Sequence, residues 1–167
     1  MLNPLKICEM ISKGIIGISK STARLRVGNE SFKISGKVKL TGRDKLGNLE
    51  FIKDLPNLIT NAGFDLICDV IGKDAQPSDI THIAIGNGVA GDATATTLTS
   101  ETDRQAGIYA HTEGTKTFTF TATFTNVVAA TEYGSFNAAS LGDLLNTAGF
   151  SSITVDSLEI EVTFTLS

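Results

Sequence analysis

Asn57-Leu-Ile-Thr-Asn-Ala-Gly-Phe-Asp-Leu-Ile-Cys-Asp-Val-Ile-Gly72, followed after a polar linker by Ile80-Thr-His-Ile-Ala-Ile-Gly-Asn-Gly88, sets two periods side by side. In the first part Phe64, Ile67 and Ile71 recur at spacings of three and four, with Leu66 and Val70 beside them, so one face of a helix is apolar. Thr60 or Asn61 caps its start, because a short side-chain oxygen accepts a hydrogen bond from a free first-turn N–H. Gly72 stands where the chain leaves through a left-handed residue. In the second part Ile83 and Ile85 point one way and His82 and Ala84 the other, which is the period of a strand. Together they predict a helix laid as a plug against a β-sheet.

Moving towards the C-terminus, Thr117 to Thr125 is the clearest strand. Phe118, Phe120, Ala122 and Phe124 line one face and five threonines the other. Gln105 to His111 and Tyr133 to Ala138 read as shorter strands, and Ser140 to Asn146 as one helical turn around Leu141, Leu144 and Leu145. In the last strand Ile153 and Val155 are odd-numbered, while Leu158, Ile160, Val162, Phe164 and Leu166 are even-numbered. Such a phase change predicts a one-residue bulge near Asp156-Ser157. Moving towards the N-terminus, Phe32, Ile34, Val38 and Leu40 alternate with Lys33, Lys37 and Lys39. Gly36 predicts a bulge or bend. Asp44 to Asn48 is a hairpin turn, and Leu49, Phe51 and Leu55 belong to the returning strand, which Pro56 ends.

Before that sheet, Asn3-Pro4 opens a short helix holding Leu5, Ile7, Cys8, Met10 and Ile11, with Ile15 and Ile16 continuing its apolar surface. A helix this short is not stable alone in water and must dock, either on its own domain or on a neighbour. The fold class expected is mainly β with minor α: an antiparallel β-sandwich or flattened barrel with one packed helix and an N-terminal arm. Residues 1–30 form the helix and basic docking arm, and residues 31–167 the sandwich. Leu5, Ile7, Met10, Ile11, Ile15, Ile16, Arg24 and Arg26 are the candidate subunit-docking residues.

A chain of 167 residues suits one domain, and 41% hydrophobic with 19% charged residues is the composition of a folded protein. The net charge of −4 hides an asymmetry. Residues 1–53 carry 11 basic and 4 acidic side chains; residues 54–167 carry 3 basic and 14 acidic ones. A basic third joined to an acidic body fits contact with an acidic surface, including that of another copy. Nucleic acid is the less favoured partner, because the basic residues form no dense run with interleaved aromatics. Cys8 and Cys68 stand alone in apolar patterns and read as small buried residues in a reducing compartment. No stretch is long and apolar enough to span a bilayer, and no signal peptide is read.

The chemistry-bearing residues do not assemble into a motif. With two histidines, His82 and His111, there is no metal-ligand spacing, so no metal and no cofactor is expected. Gly86-Asn-Gly-Val-Ala-Gly91 follows a strand and matches the dinucleotide fingerprint. However, Asp92 and a Thr/Ala run follow it where a helix should begin, so a surface loop is the stronger reading. Asp92, Glu101 and Asp103 lack calcium-loop spacing and read as solvated acids. Glu159 and Glu161 share one strand face and are not set across a cleft. No catalytic residue is expected.

Asn57-Leu-Ile-Thr-Asn-Ala-Gly63, Ile80-Thr-His-Ile-Ala-Ile-Gly-Asn-Gly88, the Thr/Ala loop, the Thr-Phe alternation to Phe124, and Glu132-Tyr-Gly-Ser-Phe-Asn-Ala138 together resemble a group of small tailed-bacteriophage structural proteins. These carry an N-L-(I/V)-x-N-A-G helix start, an (I/A)-A-(I/L)-G-x-G strand and an E-x-G-x-F-N-A segment. The resemblance covers about residues 57–167; here Gly86-Asn-Gly stands for the more usual Gly-Thr-Gly, and the first 56 residues have no counterpart in it. It implies a non-enzymatic virion protein of the tail, tail fibre or outer capsid, made in the bacterial cytoplasm. The implied partners are copies of itself and other virion proteins, with no membrane partner. The competing reading is an adhesion module for a host-surface receptor or glycan, against which the low aromatic content and absence of Trp argue.

Overall fold

A computed structural model describes residues 22–27, 30–72 and 78–167, with side chains from Lys33 onward. In chain order these form β1 (Thr22–Val27), β2 (Glu30–Arg43), β3 (Leu49–Pro56), β4 (Leu58–Ile59), α1 (Asn61–Gly72), β5 (His82–Gly86), β6 (Glu101–Ala106), β7 (Ile108–His111), β8 (Thr117–Phe136) and β9 (Leu144–Leu166). Every strand pairing is antiparallel. Among the described residues the fold is mainly antiparallel β with one packed helix, in agreement with the sandwich or flattened-barrel expectation. The predicted N-terminal helix lies outside the described residues.

The spine is the long hairpin of β8 and β9, which pair from Thr117↔Thr165 to Phe136↔Leu144. Its outer half, Thr117 to Thr125 against Ser157 to Thr165, is flanked by β7 on one side and β2 on the other. β1 and β3 share the far edge of β2, meeting it at Thr22↔Ser35 and Pro56↔Lys37. The inner half, Glu132 to Phe136 against Leu144 to Gly149, is flanked by β5 and β4, and β6 lies outside β5. Gly107 alone separates β6, which pairs with β5, from β7, which pairs with the outer half of β8. Strands β8, β5, β6 and β7 thereby close a circuit. Side chains from both halves of the spine, from β2, β5 and from α1 fill one core.

The outer half follows its periodicity. Phe120, Ala122, Phe124, Leu158, Ile160, Val162 and Phe164 are buried, and threonines alternate with them on the other face. The Asp44 turn forms as expected: its carboxylate accepts from the Leu46 and Asn48 N–H groups at 2.9 and 2.8 Å and from the Asn48 amide at 2.9 Å. Those bonds, the Asn48 side chain first, hold the Asp44 carboxyl below its ordinary value.

Five expectations need correcting. Burial does change phase in β9, from Ile153 and Val155 to Leu158 and Ile160, but there is no bulge at Asp156-Ser157. The register runs unbroken there, and β8 changes phase at the same level, from Phe124 to Val127, through Asn126 at φ 54°. Both strands turn over together at a corner; the register shifts lie beyond it, at Val127/Ala130, Ala130/Glu132 and Ser135/Phe136. Gly36 marks no bulge either: its register with β9 is continuous, and a side chain there would strike Asn57. The helical turn over Ser140 to Asn146 is absent. Leu144 and Leu145 open β9 and point into different cores, so two adjacent leucines that mimic a helix face belong to a strand covered on both sides. In α1 the buried residues are Gly63, Phe64 and Leu66, whereas Val70 and Ile71 are exposed; the first turns pack on the sheet and the last does not. Finally, Cys68 is disulfide-bonded, which removes its reading as a free apolar thiol.

Candidate functional site

Of the segments that carry the resemblance, those beginning at Asn57, Ile80 and Glu132 and the Thr/Ala loop meet at the inner half of the spine, whereas the Thr-Phe alternation to Phe124 lies on the outer half. On the inner half both faces of the sheet are covered. Ile83, Ile85, Tyr133 and Leu145 face the main core, while Ala84, Phe136 and Leu144 face a second cluster capped by Leu98 from the loop 87–100.

Glu132 holds that loop. Its side chain is fully buried, with Oε1 accepting from the Gly88 N–H at 3.1 Å and the Ser100 N–H at 2.8 Å, and Oε2 accepting from the Thr99 N–H at 3.1 Å. Backbone donors converging on a carboxylate are the standard answer to burying a charge. Gly86 and Gly88 make room for it: a Cβ at either would come within 2.7 Å of Oε1, and one at Gly86 would also meet the Ser100 carbonyl oxygen at 2.5 Å. The glycine-rich stretch that mimics a phosphate cradle therefore cradles a carboxylate of its own chain. Further bonds brace the loop. The Asn87 N–H donates to Ser100 O at 3.0 Å, Ser100 Oγ to Asn87 Oδ1 at 2.6 Å, and Thr99 Oγ1 to Val89 O at 2.6 Å. Val89 stands exposed at the tip.

The Asn57 segment supports the same region from the other face. Thr60 caps α1, accepting from the Gly63 N–H at 3.0 Å, and its hydroxyl donates to the Leu144 carbonyl. The Asn61 N–H donates to Ala93 O at 2.7 Å, joining the helix start to the loop. Asn57 is buried, and its Oδ1 accepts from the Tyr133 hydroxyl and the Asn146 amide, both at 2.7 Å. Burial pushes the Tyr133 phenol well above its ordinary value, and the Asn146 amide opposes that shift.

The opposite end of β5 has its own clamp. Arg104 lies over the Phe136 ring at 3.7 Å and donates to the Ala138 and Leu141 carbonyls, each at 2.8 Å, fixing the turn between β8 and β9. Its guanidinium is held in turn by Glu101, at 2.8 and 2.6 Å. Asn137 completes the turn, accepting from the Asp143 N–H at 2.7 Å and donating to its carboxylate at 2.9 Å.

The acidic residues expected to be solvated have intramolecular partners. Asp92 accepts from the Thr94 N–H and hydroxyl, which lower its carboxyl pKa, and Asp103 accepts from the Gln105 amide at 3.0 Å. His82 Nδ1 lies 2.8 Å from Thr81 Oγ1, and His111 Nδ1 lies 2.8 Å from Thr117 O. Among the described residues no group of three His, Cys, Asp or Glu side chains is arranged to hold a metal ion, and no helix is long and apolar enough to cross a membrane. Of the candidate docking residues, Leu5, Ile7, Met10, Ile11, Ile15 and Ile16 lie outside the described residues. Arg24 and Arg26 sit on β1 opposite Lys33 and Ser31. The sequence reading missed Glu132, Tyr133, Asn146 and Arg104 as organising residues. The available signal was a single acid or amide inside an otherwise apolar strand, a position that has to be hydrogen-bonded if buried. Compared with family models, curated proteins and solved structures, the chain matches none of them.

Proposed function

We propose that this chain is a non-enzymatic structural protein of a tailed-bacteriophage virion, multimeric, and docked through its N-terminal arm on the tail, the fibre base or the outer capsid surface. One observation carries the reading. The residues behind the virion-protein resemblance are spent on scaffolding: Glu132 and the Asn61 N–H hold the loop 87–100, and Asn57 and Thr60 brace the strands beneath it. A braced loop with its polar groups already paired is suited to permanent contact with neighbouring subunits. The polarity of the chain, basic before residue 54 and acidic after it, fits docking of successive copies or attachment to an acidic shell. On this reading the protein is made in the bacterial cytoplasm and resides in the particle.

The test is copy number per particle, by quantitative mass spectrometry of purified virions against the major capsid protein. A value near that of the capsid protein places the chain on the shell; a small value matching tail symmetry places it on the tail. Absence from particles refutes the reading. Removing residues 1–21, which lie before β1, is expected to abolish incorporation while the sheet still folds. Binding of the purified protein to host cells or cell-wall sugars would favour the adhesion-module alternative.

A further inference from the structure

The sheet ends in several edges, and they are not alike. An open edge offers unpaired N–H and C=O groups to any extended chain, and proteins commonly block it with charge or proline. β3 carries Glu50, Lys53 and Asp54 and stops at Pro56; β1 carries Arg24 and Arg26; β6 carries Glu101, Asp103 and Arg104. β7 has none of these. It reads Ile108-Tyr109-Ala110-His111, pairs only with β8 among the described residues, and is exposed at all four positions. Ile108 and Tyr109 are 74% and 61% exposed, and among the described residues no backbone bond reaches the far side of the strand.

We propose that β7 is a docking edge for β7 of a second copy, joined antiparallel about a two-fold axis. Charge selects the occupant. A strand laid beside this neutral edge is desolvated there, so a partner bearing Lys, Asp or Glu would lose hydration with no opposite charge to meet. The longer described edges, β1, β3 and β6, all carry such groups, whereas β7 holds no Lys, Arg, Asp or Glu. The two copies, each acidic through most of the body, thus meet where neither presents charge. A two-fold axis perpendicular to the sheet pairs residues on the same face. Among the registers it allows, the one centred on Tyr109 brings the two exposed rings together and places Ile108 against the partner's Ala110. Within the chain Tyr109 already begins a row of rings, 5.7 Å from Phe118, which stacks on Phe164 at 4.8 Å. The pairing continues that row across the axis. This inference does not depend on the virion reading, since the edge would pair in a protein of any function.

Sedimentation velocity on the full chain across a concentration series tests it, with Ile108→Lys as the breaking variant. Leu46→Lys, at an apolar site in the Asp44 turn that is more exposed still, is the control. The expected result is a discrete dimer whose dissociation constant rises at least about tenfold in Ile108→Lys and is unchanged in Leu46→Lys. Hydrogen exchange on the wild-type chain provides a second readout should the variant fold poorly. The amides of residues 108–111 should slow as concentration rises, and those of β3 should not. A wild-type chain that stays monomeric, a dimer indifferent to Ile108→Lys, or open-ended aggregation in place of a dimer overturns the proposal.

Discussion

The two halves of the spine are built from the same pair of strands by different rules. In the outer half, one face is apolar and packed, the other carries threonines and salt-bridged charges, and the register is regular. Lys39–Glu161 at 2.7 Å joins β2 to its surface and Lys37–Asp54 at 2.9 Å joins the flanking β2 and β3, and such exposed pairs contribute little. In the inner half both faces are covered, and Glu132, Ser135, Asn146 and Thr147 are buried among the apolar residues. The outer half is held by area removed from water and tolerates substitution on its open face. The inner half depends on Glu132, Asn146 and Thr147, each of which becomes costly once its partner is lost; the Ser135 hydroxyl is buried with no partner among the described residues. The corner at Asn126 and Asp156 is the boundary between the two regimes.

Substitutions can break that contrast. The largest effect is expected from Glu132→Ala, which orphans three backbone donors and should cost about 3 kcal/mol or more in urea denaturation. It should also release protection of the amides at Gly88, Thr99 and Ser100 in hydrogen exchange. A loss below about 1 kcal/mol, within the range of ordinary surface changes, would show that the carboxylate does not organise the loop. Tyr133→Phe comes next, at about 1–3 kcal/mol, because the Asn57 and Asn146 amides lose a partner. Its pH behaviour sharpens the point. The folded phenol is held above its unfolded value, so the wild-type contribution is intact below that unfolded value and is lost as pH rises from it towards the folded one. The phenylalanine variant should lack this alkaline decline.

A matched pair measures the contrast directly. Thr147 is buried and donates to the Tyr133 carbonyl at 2.7 Å, whereas Thr123 is exposed on the outer half. Thr147→Val should cost about 1 kcal/mol and Thr123→Val less than about 0.5 kcal/mol; equal costs would erase the distinction. The smallest effect belongs to the Asp44 turn. Its carboxyl is held below the ordinary value, so its support is present above the unfolded pKa and lost as pH falls through the depressed folded one. Amide exchange at Leu46 and Asn48 should quicken in that acid window while β2 and β3 remain protected.

How much of this was legible follows from the same division. Period-two alternation exposed the Thr117 to Thr125 strand, and short-range side-chain chemistry exposed the Thr60 cap and the Asp44 turn. In these cases the sequence pattern and the physical cause lie within a few residues of each other. The Leu144-Leu145 pair was misread because a strand covered on both faces has no polar beat. Glu132 could not be matched to Gly86 and Gly88 because the glycines and the acid they accommodate are more than forty residues apart in sequence. The loop itself was recognised as a loop, but what it encloses was not. For Val70 and Ile71, amphipathicity gave a face but not how far along that face the sheet extends.

The pairing of β2 with β9 also bears on how the chain is made. Arg43 lies opposite Ser157 and Ile34 opposite Leu166, so β2 meets its main partner more than a hundred residues later in the chain. β4 and the whole of β8 wait for the same strand. At typical rates of translation, β2 leaves the ribosome on the order of ten seconds before β9. During that interval Val38, Leu40 and the apolar faces of β5 and β8 have no finished sheet to enter. Closure of this sheet therefore waits for β9, and the nascent chain is a natural client for chaperones until β9 emerges.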